Sequence, residues 1–303
     1  MNERQPEVSI VLPTYNGSDY LRDSVQSCLA QTFEDFELIC VDDASTDETP
    51  RILSELCELD DRMRVIRHET NKRLPAALNT GFRAARGKYQ TWTSDDNLYE
   101  PHALEAMVRF LDTNEDVEVV YAAYSVIDAD DRKVCEVEPE QPVVLFTRNV
   151  VGACFLHRQH VYSELGGYRE EAFLAEDYDF WLRCFLRYRM EPLYENLYRY
   201  RHHDGALTAR APQEIRKARK NALVDMLNSA AGVQGRELSR AYLTVAQDSA
   251  ALGDTVGTRR HLAAALLRRP GRTLIFAGRN TLATALFGAR PVSWLRRMFS
   301  RGA

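Results

Sequence analysis

Among the adjacent acids of this chain, Asp42-Asp43, Asp95-Asp96 and Glu176-Asp177 are the pairs placed to do chemistry. The first two follow runs of β-forming residues, 36–41 and 88–93, and so stand where strands are expected to end. In open α/β sheets, ligands bind beyond the carboxyl ends of strands. A carboxylate placed there can hold a hard divalent cation, which prefers oxygen ligands and shares them with phosphates. Side chains alternate along a strand, so Asp95 and Asp96 should point different ways as the chain leaves the sheet. Taken alone, Ser94-Asp95-Asp96-Asn97 also reads as a solvated turn, because Asp, Asn and Ser are common turn formers. The third pair opens a helical stretch, 176–187, with Phe180, Trp181, Cys184 and Phe185 on its buried side. Glu176, Asp177 and Asp179 occupy its first turn, where the helix dipole favours anions and should lower the pKa of any base.

The surrounding elements explain why these pairs could meet. Strands are expected over 7–12 (stopped by Pro13), 36–41, 63–67 and 88–93. Between them come helices, the first capped by Ser18 or Asp19 with Leu21, Val25, Cys28 and Leu29 on one face, then 48–57 and 74–85. This β-α-β-α-β-α-β order predicts a parallel sheet with right-handed crossovers. A helix from Pro101 to about Leu111, a strand over 117–127 and a turn at 128–131 lead to a strand over 133–137. That hairpin breaks the parallel alternation and predicts a mixed sheet with an antiparallel edge. A strand over 192–200 runs into His202-His203-Asp204-Gly205, and from Pro212 onward the pattern is helical. Residues 248–270 resemble one unit of a helix–turn–helix repeat, too few for a solenoid.

With 303 residues, 45% hydrophobic and 27% charged, the chain fits one large globular domain plus an appendage. No apolar run approaches the ~20 residues of a spanning helix. The amino-terminal segment shows no apolar signal core, so a cytoplasmic location is expected. Six cysteines without paired metal-ligand spacing are expected to be free thiols. Net charge is −5, yet residues 255–303 carry ten Arg and no acid, leaving −15 on the preceding 254. Such asymmetry points to a tail that meets an anionic surface. Apolar stripes at 262–267 and 274–287 are interspersed with or flanked by Arg268, Arg269, Arg272 and Arg279. Val292, Trp294, Leu295, Met298 and Phe299 alternate with Arg296, Arg297 and Arg301, a pattern that suits a membrane interface. Docking of the same stripes on the acidic part of the chain is the other expectation.

Pro13-Thr14-Tyr15-Asn16, the run Val41-Asp42-Asp43-Ala44-Ser45-Thr46-Asp47, Ser94-Asp95-Asp96 and Glu176-Asp177 occur in order and at a consistent spacing. Together they resemble the inverting family 2 glycosyltransferases of GT-A fold, over about residues 6–210. The resemblance implies an α/β fold, GT-A: a Rossmann-like, mostly parallel mixed sheet flanked by helices. It gives a catalytic domain over 1–210 and a helical carboxyl-terminal region over 211–303. It further implies a nucleotide-sugar donor, UDP-linked, a saccharide or lipid-linked hydroxyl acceptor, and Mn²⁺ or Mg²⁺. Cell-surface polysaccharide or glycoconjugate synthesis is the expected setting, with no nucleic-acid partner.

By the same resemblance, Pro13 and Tyr15 line the base pocket, with the Tyr15 ring free to stack. Asp43 accepts a hydrogen bond from the base, Asp95 meets the ribose, and Asp96 binds the metal that bridges the diphosphate. Asp177 is the base that takes the acceptor's proton. His203 completes the metal or diphosphate site, or is an exposed loop histidine. Two departures stand out. Ser94 replaces the first acid of the family's D-x-D, and Asn71-Lys72-Arg73-Leu74 stands where many members read Asn-x-Gly-Leu. The lost glycine should change a backbone beside the donor, and Arg73 either reaches the diphosphate or points into solvent. A nucleotidyltransferase and a non-catalytic scaffold of the same fold remain as rival readings.

Overall fold

A computed structural model describes residues 5–229, 235–269, 273 and 277–287. It divides into two compact units, Met1–Pro142 with Asn149–Ala209, and Val143–Arg148 with Arg210–Ala303.

The first unit is built on one nine-stranded sheet. In chain order it comprises β1 (Val8–Thr14), α1 (Leu21–Leu29), β2 (Phe36–Asp42), α2 (Thr49–Cys57), β3 (Met63–Arg67), α3 (Leu74–Ala84) and β4 (Tyr89–Trp92). Next come β5 (Leu98–Tyr99), α4 (Ala103–Thr113), β6 (Val119–Ile127), β7 (Lys133–Val137), β8 (Phe155–Arg158) and α5 (Gln159–Leu165). α6 (Glu176–Phe185), β9 (Met190–Arg201) and α7 (Leu207–Arg210) follow. The strand order is β3-β2-β1-β4-β8-β6-β9-β5, with β7 paired to β6.

Every residue of β1 and β2 is buried, as expected for parallel strands covered on both faces. β1 does not stop at Pro13; it continues to Thr14, with Pro13 opposite Val41 of β2. The ring is tolerated because β4 pairs β1 only as far as Val11, so the missing N–H faces no ladder partner. The first helix also differs from expectation. It starts at Leu21 with Tyr20 in the cap position and no side-chain cap, while Leu21 N–H reaches the Gly17 carbonyl. The antiparallel element is not confined to an edge: β8 lies between β4 and β6 and runs against both. Four residues, Phe155-Leu156-His157-Arg158, are too short a run for periodicity to identify as a strand. All six cysteines are free thiols.

The second unit contains α8 (Pro212–Ser229), α9 (Arg236–Ala251), α10 (Thr255–Arg268) and α11 (Gly278–Phe287). Asp254 caps α10 by accepting from Gly257 N–H at 2.8 Å. Buried Asp248 accepts from Arg216 at 3.2 Å and from Arg219 at 3.0 Å, tying α8 to α9. Ala246, Leu262 and Ala277 form a small core joined by Leu243, Leu266, Leu282 and Ala285. Part of the apolar stripe expected to meet a membrane or the acidic part of the chain therefore packs inside this unit. Arg272, Leu274, Val292, Trp294, Leu295, Arg296, Arg297, Met298, Phe299, Arg301 and the side chain of Arg279 lie outside the described residues. No helix among the described residues is long and apolar enough to cross a membrane.

The close approach of α3 to β1 depends on Gly81, where an added Cβ would stand 2.3 Å from Val11 Cγ1. Alanine is worth about 1 kcal/mol over glycine inside a helix, but overpacking costs about 1–3 kcal/mol. Val11 is fully buried in the central strand and cannot withdraw, so the clash should win. We expect Gly81→Ala to lower the urea midpoint, with a net loss of stability of up to about 2 kcal/mol. An unchanged or raised midpoint would show that α3 shifts freely on the sheet.

Candidate active site

Asp95 and Asp96 leave β4 where β1 and β4 stop pairing, at the carboxyl ends of both strands. As expected from the strand alternation, they take different partners. Asp95 turns toward β1, where Thr14 Oγ1 donates to its Oδ2 at 2.5 Å. An added Cβ at Gly17 would stand 2.0 Å from that same oxygen, so the residue after Asn16 must be glycine for Asp95 to sit there. Burial, and then the charge of Asp96, push the Asp95 carboxyl up to about 7, against the Thr14 hydrogen bond. Asp96 Oδ2 lies 3.1 Å from His203 Nε2, while its Oδ1 is buried without a hydrogen-bond partner. The His203 ring packs edge-on to Tyr20, with centroids 5.0 Å apart.

An orphaned buried carboxylate oxygen beside an imidazole nitrogen is a donor set that fits a divalent cation. Among the described residues, no three His, Cys, Asp or Glu side chains gather as a complete metal cage. The protein would therefore supply two ligands and leave the remaining positions to a diphosphate, as Mg²⁺ and Mn²⁺ sites on nucleotides do.

Asp43 closes the second acidic cluster. Its carboxylate is buried and already engaged: Lys72 N–H donates to Oδ1 at 2.8 Å, Arg73 N–H donates to Oδ2 at 2.8 Å, and His68 Nδ1 lies 2.6 Å from Oδ1. It thus does not cap a helix but clamps the loop before α3. One lone pair on Oδ2 remains for a further donor. The loop Tyr15-Asn16-Gly17 joins the two clusters, because Asn16 bonds Ser45 and Thr46 while Gly17 touches Asp95. Pro13 is buried in β1, and Tyr15 is half exposed beyond it.

Arg73 corrects the expectation that losing the family's glycine alters the backbone. Its φ of 72° and ψ of 165° lie in a region that is essentially glycine-only, so the glycine-type backbone persists with an arginine on it. The two Asp43 hydrogen bonds hold it there. Its exposed guanidinium lies over the Phe173 ring, 5.1 Å from the centroid.

Asp177 stands in the first turn of α6, half-buried, accepting from Asn149 Nδ2 at 2.8 Å and from Tyr178 N–H at 2.7 Å. The anticipated lowering of its pKa does not occur. Burial raises it, outweighing the hydrogen bonds from the Tyr178 amide and Asn149. Glu176 is pushed up to about 8 by burial and by the charge of Asp177, and its Oε2 has no partner. The third acid of that turn, Asp179, is structural, bridged to Arg169 at 3.2 Å and to Arg183 at 2.8 Å. Trp181 of α6 packs on Phe155 of β8, which packs on Trp92 of β4, so α6 rests on the strand pair that carries Asp95.

Three contributors escaped the sequence reading. Arg201, 1% exposed, donates from Nε to the Asp96 carbonyl at 2.9 Å and pairs with Asp131 at 2.7 Å. His68 bridges Asp43 and Thr80, and Asn149 orients Asp177. None carries a local pattern; each acts across 25 or more residues of chain on its acid.

Relieving the strain at Arg73 gives a test of this geometry. Arg73→Gly should remove about 1–3 kcal/mol of backbone strain and add about 1 kcal/mol of unfolded-state entropy. Stability in urea should therefore stay level or rise by up to about 2 kcal/mol. A loss instead would mean that the contact with Phe173 outweighs the strain.

Comparison with known proteins bears on this arrangement. The profile of Glycosyl transferase family 2 matches residues 9–173, more than half of the chain. A Bacillus subtilis protein named putative glycosyltransferase EpsE is 34% identical over 213 residues, 68% of this chain and 77% of that protein. An uncharacterized glycosyltransferase of Rickettsia prowazekii is 32% identical over 200 residues, 61% of this chain; the chain covers 60% of that relative's length. Among solved structures, S. aureus TarS 1–349 in complex with UDP-GlcNAc aligns with a TM-score of 0.67 at 18% identity, covering 88% of this chain and 82% of that 1–349 chain. The mannosyltransferase PcManGT of Pyrobaculum calidifontis, solved with GDP-Man and Mn²⁺, aligns with a TM-score of 0.60 at 20% identity, covering 98% of this chain and 80% of that one. These likenesses show the GT-A fold, a curled, mostly parallel sheet flanked by helices. By the family match and the EpsE identity, the chain is a member of glycosyl transferase family 2.

Proposed function

We propose that this glycosyltransferase moves a sugar, with inversion, from a nucleoside-diphosphate sugar to a hydroxyl of a saccharide or lipid-linked acceptor, using Mn²⁺ or Mg²⁺. The observation that carries the reading is Asp96, whose buried Oδ1 lacks a partner while Oδ2 meets His203. Asp96 and His203 would hold the cation. Carboxylate with imidazole suits Mn²⁺ better than Mg²⁺, which favours an all-oxygen shell. Such an ion acts as a Lewis acid on the leaving diphosphate.

The chain's own residues supply the rest. The exposed Tyr15 ring is free to stack on a base, and the unused lone pair of Asp43 Oδ2 can accept a ring N–H such as that of uracil. Asp95, locked by Thr14 against Gly17, faces the ribose. The Arg73 guanidinium, presented from its strained backbone, is the nearest candidate for the diphosphate. Asp177, oriented by Asn149 and raised in pKa by burial, takes the acceptor's proton as the hydroxyl attacks opposite the leaving group. One base serving one attack yields inversion. UDP is favoured as the nucleotide because uracil offers the single N–H that Asp43 has room for.

The nucleotidyltransferase reading loses support at the loop after β1. The amides of Asn16, Gly17 and Ser18 are consumed by Ser45, Thr49 and Asp47, so they are not free to cradle a triphosphate. The scaffold reading is separated by assay.

Purified protein with UDP-sugars and an acceptor panel should release UDP only with added metal. EDTA and Asp96→Ala should each abolish turnover, and full activity in EDTA would sink the metal-dependent reading. Asp177→Asn should cut transfer by ~10²–10⁴-fold while nucleotide binding persists. Because only the ionised carboxylate is a base, wild-type kcat/KM should fall as pH drops through the raised Asp177 pKa, above the usual range of about 4. An acid limb at or below that range would move the base role away from this pair of acids, whereas unchanged transfer by Asp177→Asn would make Glu176 the first suspect.

A further inference from the structure

We propose that the second unit carries a binding site for a phosphate-bearing amphiphile, an anion joined to an aliphatic chain. The site is a cavity of about 340 Å³ lined by one face of α9 together with Thr147, Arg269 and Thr273. It is separate from the acids discussed above and does not depend on the reading of their function.

Arg236, Arg240, Leu243 and Thr244 recur at helical spacing along one face of α9 and line this cavity together with Arg269. Three arginines thus line one hollow. Among the described residues no carboxylate pairs with any of the three, whereas Arg216 and Arg219 of the same unit converge on Asp248 and Lys220 pairs with Asp254. Arg240 and Arg269 are half-buried, so their charge is not simply extended into water. Three like charges around one cavity repel one another and become favourable only when an anion answers them.

The hydroxyl groups of the wall are already spent. Ser239 Oγ donates to the Ala265 carbonyl at 3.2 Å, Thr273 Oγ1 to the Arg269 carbonyl at 2.6 Å, and Thr244 Oγ1 to the Arg240 carbonyl at 3.1 Å. What the cavity offers is therefore arginine and the Gln247 amide set against methyl groups and the Leu243 side chain. A guanidinium matches the paired oxygens of a phosphate. Among the described residues no aromatic ring lines the cavity, so a nucleotide base would find nothing there to stack on, while an aliphatic body would find an apolar wall. The volume lies within the ~300–1,000 Å³ usual for small-ligand sites and accommodates a phosphate with a short length of chain.

The test uses the full chain and three probes in calorimetric titration: dodecyl phosphate below its micelle concentration, inorganic phosphate, and uncharged dodecyl maltoside. Dodecyl phosphate should bind at one per chain and more tightly than inorganic phosphate, and dodecyl maltoside should not bind. Arg240→Gln and Arg269→Gln should each weaken dodecyl phosphate by about tenfold or more. Arg236→Gln, at an exposed position and least able to disturb folding, should weaken it in the same direction. Arg260→Gln, exposed on α10 and outside the cavity, should leave it unchanged. Equal binding of inorganic phosphate would overturn the amphiphile in favour of a plain anion site. Unaltered affinity in all three cavity variants, or equal binding of dodecyl maltoside, would overturn the site itself.

Discussion

A buried guanidinium must have its charge answered on every side, and Arg201 is that group here. At 1% exposure, leaving it unpaired would cost several kcal/mol. Its Nε takes the Asp96 carbonyl, its terminal nitrogens reach Asp131 and the carbonyls of Asp128 and Ala129, and its face lies 4.4 Å from the Tyr20 ring centroid. Its own N–H donates to Asn97 Oδ1 at 2.8 Å. One side chain at the end of β9 thus fixes the turn after β4, the β6–β7 hairpin and the entry to α1. With the Asp96 main chain held, its carboxylate has little freedom beyond meeting His203. The geometry of the proposed cation site is set from behind, by a residue that need not touch the ligand.

Backbone strain is distributed in the same way. Among the described residues five non-glycine residues adopt positive φ, and four of them lie on the loops that carry the family motifs or adjoin them: Asn16, Ala44, Arg73 and Leu174. Asn16 precedes Gly17 against Asp95, Ala44 follows Asp43, Arg73 is clamped by Asp43, and Leu174 precedes Glu176. Such conformations persist only where the surroundings over-determine them, and they gather at functional sites. Here the over-determining groups are visible as side-chain acceptors and donors: Ser45, Thr46 and Asp43 itself. The strained residues thus lie on the loops that carry these acids.

The acids of α6 show how burial and a helix dipole compete. A first-turn carboxylate gains about 0.3–1 kcal/mol from the dipole at an exposed site. Desolvation of a buried carboxylate shifts its pKa by up to several units, each unit worth 1.36 kcal/mol. Burial is the larger effect, so Asp177 and Glu176 move upward together, the direction that suits a base working near neutral pH. Asp179, one turn-face away, is buried too but has two arginines beside it.

The pattern of residues alone determined most of the first unit. Runs such as Val8 to Leu12 and Phe36 to Val41, separated by helices of one-sided apolarity, can bury their surface only as a parallel sheet covered on both faces. The acids at the ends of those runs then fall on one rim, which is why Asp43, Asp95 and Asp96 were legible before any coordinates. What the pattern could not hold is whatever acts between segments distant in the chain. β8 is four residues long, and its place inside the sheet follows from space between β4 and β6 rather than from any periodicity of its own. Arg201, His68 and Asn149 look like ordinary polar residues until folding sets each one against an acid far away in sequence. The Arg73 backbone was misjudged because local preference says glycine, whereas the Lys72 and Arg73 amides, donating to Asp43, hold an arginine in that conformation. The α6 carboxylates were misjudged because the dipole is a local effect and burial is not. Local chemistry named the acids; only tertiary packing decided which of them are clamped, which are paired, and which are left with an oxygen free to bind.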